Sequence, residues 1–205
     1  MAGCLFAAPL AQRATSTLRP MPQSGVAAGL LTETVVREGI VGGALFDRGR
    51  RYRYLLSRTW DETLSGVCWI MLNPSTATAS VDDQTIARVI GFSRSWGYGW
   101  ATVVNLFAYR AREPATLTRV VDPVGPHNDE VIASAAASTS EVIIAWGNHG
   151  DLVNPVTGQP RCEEVCQLLT SCGVTPSGLA LTSRNQPGHP LYLPRSTKPV
   201  RPVGC

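Results

Sequence analysis

Gly66-Val-Cys-Trp-Ile-Met-Leu72, followed at once by Asn73-Pro-Ser-Thr-Ala-Thr78 and then by Asp82-Asp83, decides how the chain is read. A continuous apolar and β-branched run bounded by Gly on one side and Asn-Pro on the other predicts a strand buried on both faces, because a half-exposed strand would alternate polar and apolar positions. Pro74 holds Asn73 away from helical dihedrals and ends the ladder. In open α/β sheets the carboxyl ends of parallel strands border the ligand crevice, which puts Asn73, Ser75 and the acids after them on its rim.

Working outward, Ser80-Val-Asp-Asp83 has the form of a capping box, ahead of a helix that carries Ile86, Val89 and Ile90 on one face and ends near Gly97. Trp100 to Phe107 and Glu141 to Gly147 are two further buried strands, with helical pieces at Ala115 to Val121 and Asn128 to Ala137 between them. His127 reads as a helix start. A helix over Arg161 to Ser171, a short strand Leu179 to Thr182, a polar loop Ser183 to Gly188 and the closing His189-Pro-Leu-Tyr-Leu-Pro194 follow. This alternation predicts a three-layer α/β/α fold around a mainly parallel central sheet. Before it, Gly42 to Trp60 reads as an antiparallel hairpin turning at Asp47 to Gly49, with Arg51 and Arg53 on one face and Tyr52 and Tyr54 on the other. Such a face either binds phosphates and bases or belongs to a solvated edge strand, and the edge strand is the preferred reading.

The Arg-, Ser- and Pro-containing residues 1–38 are expected to be a disordered overhang, residues 42–194 a single domain and residues 195–205 a tail. At 205 residues and 44% hydrophobic content the chain carries one real core. A net charge of +3, without any Lys/Arg run, permits polyanion contact but marks no dedicated nucleic-acid arm. The six cysteines follow no secreted-scaffold spacing and Cys68 sits in the central strand, so a reducing, cytoplasmic setting is expected. No apolar run is long enough for a membrane span. Cys162 and Cys166 have helical i,i+4 spacing but lack a second ligand pair, so they read as ordinary thiols. Phosphate-loop, dinucleotide and serine-hydrolase motifs are absent from the sequence.

Each predicted strand ends in a group able to carry chemistry: Asn73 with Ser75, Asn105 with Phe107, Tyr109 and Arg110, Asn148 with His149, and His189 before Pro190. In a parallel sheet these ends share one edge and face one ligand. Asp82 and Asp83 either activate water or cap the helix. Asn105 either reads a nucleobase edge or closes its turn, and Phe107 either stacks on a planar ligand or packs in the core. His149, between glycines, belongs to an exposed loop, whereas His189 is held in a restrained X-Pro position that suits a fixed hydrogen-bond donor.

Arg53-Tyr-Leu-Leu-Ser-Arg-Thr-Trp-Asp61, Leu72-Asn-Pro-Ser-Thr-Ala77, Asp82-Asp-Gln-Thr85, Trp96-Gly-Tyr-Gly99, Asn105-Leu-Phe-Ala-Tyr-Arg110, Asp122-Pro-Val-Gly-Pro126, Ala145-Trp-Gly147 and Gly188-His-Pro-Leu-Tyr-Leu193 together resemble a bacterial and phage domain-of-unknown-function family. More distantly, the motif order is similar to the uracil-DNA glycosylase superfamily, although the closing motif here is His-Pro-Leu-Tyr where that superfamily has His-Pro-Ser-Pro. The resemblance implies that Asn73 positions an attacking water, Asn105 reads the pyrimidine edge, Phe107 stacks, and His189 hydrogen-bonds the developing base anion, without a cofactor. The partner it implies is a nucleic acid or a nucleotide. Two other readings stand beside it: a non-catalytic nucleic-acid or nucleotide-binding module aided by Arg53, Arg58 and Arg110, and a phosphodiesterase with Asp82, Asp83 and His149 around a divalent metal.

Overall fold

The computed structural model describes residues 29–200, so the overhang reading of residues 1–28 and the last five residues of the tail lie outside it. The strands are β1 (Leu31–Arg37), β2 (Ile40–Phe46), β3 (Arg53–Thr59), β4 (Gly66–Met71), β5 (Trp100–Asn105), β6 (Glu141–Ile144) and β7 (Ser177–Gly178). The helices are α1 (Gln84–Ser95), α2 (Asn128–Ala137) and α3 (Arg161–Ser171), with 3-10 turns at Pro114–Arg119, Gly147–His149 and Pro190–Tyr192. All seven strands form one sheet in the order β1-β2-β3-β5-β4-β6-β7. The strands β5, β4, β6 and β7 run parallel, and β1 to β3 add an antiparallel meander along the β5 side. The expected three-layer α/β/α architecture with a mainly parallel core and an N-terminal hairpin is the one observed.

Pleating sorts the core into two layers, because successive side chains point to opposite faces. Cys68, Ile70, Val104, Leu106, Val142 and Ile144 pack against Val131, Ile132 and Ala135 of α2 and Val165 and Leu169 of α3. Val67, Trp69, Met71, Ala101, Val103 and Ile143 pack against Ile86, Val89 and Phe92 of α1. On this second face Trp69 stacks on Trp96 at 5.4 Å and its indole N–H donates to Ser93 Oγ at 3.0 Å, which satisfies the polar tip of a fully buried ring. Truncating so large a core side chain to Ala costs about 3–5 kcal/mol.

Several sequence expectations change. Residues 31–37 form β1, the outer antiparallel strand of the meander, rather than an overhang. β3 is an interior strand, not a wet edge: β2 and β5 flank it and all seven of its residues are buried. A register shift at Leu45/Phe46 breaks the simple alternation on which the basic-face reading relied. The expected strand Leu179 to Thr182 is replaced by the two-residue β7 just before it, and Leu181 makes only an isolated bridge to Pro187. Ser80 does not cap α1; Asp83 does, accepting from the Ile86 N–H at 2.9 Å. Within the expected tail, Val200 pairs with Gly178 and the Thr197 carbonyl accepts from the Trp96 indole.

Candidate functional site

The parallel register sets the site. Met71 pairs with Asn105 and Ile70 with Ile144, so β4, β5 and β6 end side by side and release Asn73, Asn105 and Trp146 at one edge. β3 runs the other way and therefore begins at that edge, with the Arg53 N–H donating to the Ala108 carbonyl at 2.9 Å. Asn105 lies two residues beyond Val103 and shares its face, the side of the sheet that α1 covers. Here a cavity of about 830 Å3 opens, lined by residues that include Arg53, Asn73, Ser75, Asp83, Asn105, Trp146, Asn148, His149, His189 and Tyr192. Its size suits a small-molecule ligand.

Asn73 is oriented by its own amide, whose Nδ2 donates to the Ala111 carbonyl at 2.7 Å and the Pro74 carbonyl at 3.0 Å. Both amide protons are thereby committed and Oδ1 is left as the accepting side. Asn105 is 2% exposed, and its Nδ2 is buried with no hydrogen-bond partner. Its backbone is clamped from the opposite face, where the Asn128 amide donates to the carbonyls of Asn105 and Leu106, both at 2.9 Å, and Arg161 Nε donates to Leu106 O at 2.9 Å. The free donor is therefore held in place, not left loose.

His189 precedes the 3-10 turn Pro190–Tyr192, which Arg88 of α1 ties down by donating to the Pro190 and Leu193 carbonyls. Gly147 has φ +72°, a conformation side chains rarely adopt, so glycine serves the turn that brings this backbone beside His189. Burial pushes the His189 imidazole down to about 4, against the opposing pull of the Asp83 carboxylate, so the ring is neutral at pH 7. Nδ1 accepts from the Leu191 N–H at 3.3 Å, which assigns the proton to Nε2 and makes that nitrogen a donor.

The two acids part company. Asp83 lines the cavity, whereas Asp82 lies outside it, paired with Arg58 through Nε at 2.9 Å and Nη2 at 2.7 Å. The metal reading therefore loses a ligand, and no group of three His, Cys, Asp or Glu able to hold a metal occurs among the described residues. Phe107 is packed in the core on the α2 face, so it cannot stack on a ligand in the cavity. Tyr109 packs edge-on against Tyr52, and Arg110 lies over the Phe46 ring; neither lines the cavity. Ser75, Asn148 and His149 do line it, with Asn148 and His149 exposed.

Sequence reasoning passed over Trp146 and underrated Arg53. Trp146 is 3% exposed and its indole N–H donates to Gln186 Oε1 at 2.8 Å, giving the cavity an apolar wall. The signal was its place at the carboxyl end of a predicted strand. Cys68, Cys162 and Cys172 are free thiols, and no helix among the described residues is long and apolar enough to cross a membrane.

No curated protein and no solved structure matches the chain, so the likeness to the uracil-DNA glycosylase superfamily rests on motif order alone. A family model does match, over residues 53–191, a span that runs from Arg53 to just past His189 and contains α1, α2 and α3. The chain belongs to the family described as Protein of unknown function (DUF1643).

Proposed function

We propose that the cavity binds a nucleobase-bearing ligand and hydrolyses its N-glycosidic bond, in a nucleotide or in an unpaired strand of nucleic acid. The observation that carries this reading is the buried, unpartnered Asn105 Nδ2 in a cavity it shares with the neutral His189. A buried donor left unsatisfied costs about 1–3 kcal/mol, which a carbonyl on the edge of a base recovers. In the reaction the C1′–N bond breaks and its electron pair stays on the base. Water adds its oxygen to C1′, and the proton it releases ends on the departing base. Asn105 Nδ2 holds the base edge, Nε2–H of His189 donates a hydrogen bond to the developing anion, and Asn73 Oδ1 and Asp83 orient the water. Trp146 offers an apolar wall to the ring.

The distribution of cations favours a compact ligand. Arg58 and Arg110 do not line the cavity, and Arg53 and Arg112 are its arginines, so a long phosphate track is not built here. Purified protein incubated with nucleosides, nucleotides and uracil-containing single- and double-stranded DNA is expected to release free base, read by chromatography and as alkali-labile sites. His189→Ala is expected to lower turnover about 10²–10³-fold, the usual effect of removing one charge-stabilising donor, and Asn105→Ala to weaken binding of the base. Absence of base release from every substrate sinks the hydrolytic reading; ligand binding without release makes the domain a binding module.

A further inference from the structure

Among the described residues three arginines are buried, Arg53 at 3%, Arg58 at 5% and Arg161 at 1% exposure. Buried charges persist when they are paired and their donors used. Arg58 meets this condition: it pairs with Asp82, Nη1 donates to Ser57 O at 2.7 Å and Nη2 to Thr78 O at 2.6 Å. Arg161 meets it too, with Nη1 on Glu164 at 2.9 Å, Nη2 on Asp129 and Nε on Leu106 O. Arg53 does not. Nη1 donates to Ala77 O at 2.8 Å, Nε is buried without an acceptor, and no carboxylate among the described residues lies within ion-pairing distance. Burial draws its pKa down to about 9, which still leaves it a cation at neutral pH.

This unpaired guanidinium lines the cavity. Ser75 and Thr76, from the loop whose Ala77 carbonyl receives Nη1, line it as well and supply hydroxyls, and the first turn of α1 opens on the same space with the positive end of its dipole. Of the carboxylates on the lining, Asp83 already holds the Ile86 N–H and Glu113 is exposed. We propose that Arg53 is the floor of an oxyanion subsite and that its counter-ion is the phosphate of a nucleoside monophosphate. The choice of a nucleotide rests on the nucleobase reading above; the demand for an oxyanion does not. Guanidinium suits this role because its fork matches phosphate oxygens bidentately.

The test uses the full chain and calorimetric titration with uridine, adenosine, their 5′-monophosphates and inorganic phosphate. At least one monophosphate is expected to bind tenfold or more tighter than its nucleoside, inorganic phosphate is expected to compete with it, and Arg53→Gln is expected to erase the advantage while leaving nucleoside affinity in place. Equal affinity for nucleoside and monophosphate in the native chain overturns the proposal, as does failure of phosphate to compete or an advantage that survives in Arg53→Gln. Should Arg53→Gln lose its native circular dichroism, the native-chain comparison and the competition decide alone. Phosphate binding with no gain from an attached nucleoside upholds the subsite and overturns the nucleobase reading, so the two fail separately.

Discussion

Arg161 and Arg53 are equally hidden from solvent, yet the fold treats them in opposite ways. Arg161 starts α3, donates to the Leu106 carbonyl at the end of β5 and pairs with Glu164 one turn along α3 and with Asp129 of α2. Arg53 starts β3 at the same sheet edge on the other face and finds one carbonyl and a cavity. Of these two arginines, the one that completes the fold has its partners within the fold, whereas the one at the cavity keeps an unmet demand. Asn128 and Asn105 repeat the contrast with amides: Nδ2 of Asn128 serves two backbone carbonyls, and Nδ2 of Asn105 serves none.

The largest expected effect lies on the structural side of this comparison. Arg161→Met leaves Glu164 and the Leu106 carbonyl without their cation and loosens the β5 end, and it is expected to cost about 3–5 kcal/mol, as removal of one partner from a buried pair usually does. Chemical denaturation measures it, and a loss below about 1 kcal/mol removes the distinction between the two arginines.

A second test uses pH. His189 titrates near 4 in the folded chain, below its ordinary value of 6.5, so the unfolded chain binds the extra proton between those values. Stability contributed by the neutral imidazole is full above pH 6.5 and falls as pH drops toward 4, by about 2 kcal/mol between pH 7 and pH 5. Denaturation curves at the two pH values are expected to differ by that much more in the native chain than in His189→Asn; equal differences mean that His189 is not held neutral by the fold.

The strand ends were legible because both faces of β4, β5 and β6 are covered, which turns their sequences into continuous apolar runs whose limits are easily seen. β1 was not legible, since Leu31–Arg37 lies at the sheet margin and mixes an exposed valine, Val36, and exposed threonines with charge, a composition it shares with disordered segments. Arg53 and Tyr54 were read as opposite faces of a wet strand. The register shift opposite them, and the cover that β5 and the Asn73–Thr78 loop provide, depend on residues distant in sequence. Phe107 was misplaced because the ladder ends at Asn105, so a residue two positions later no longer returns to the same face. Asn105, by contrast, needed only the period of two.

The adjacent acids give a smaller effect. Asp83→Asn keeps an N-cap and is expected to leave stability within about 0.5 kcal/mol, while Asp83→Ala loses the bond to the Ile86 N–H and costs about 1 kcal/mol. Equal stabilities of the two variants in denaturant mean that the charge, not the cap, is what Asp83 contributes to folding.

The stability change expected at Arg53 is small, and its size is what gives it meaning. Replacing Arg53 with Met removes one hydrogen bond to Ala77 O, worth about 1 kcal/mol, and also removes an unpaired charge that folding must strip of water. These terms oppose, so ligand-free Arg53→Met is expected to match the native chain to within about 1 kcal/mol. At Arg161 the same relief of desolvation is outweighed, because the exchange also breaks pairs that the fold already contains. Stabilisation by bound nucleoside monophosphate should then separate the native chain from the variant: a ligand held through Arg53 raises the melting temperature of the first more than that of the second, because stabilisation grows with affinity for the folded state. If Arg53→Met instead unfolds as readily as Arg161→Met without any ligand present, Arg53 is a structural residue, and the cavity loses the strongest sign that something anionic belongs in it.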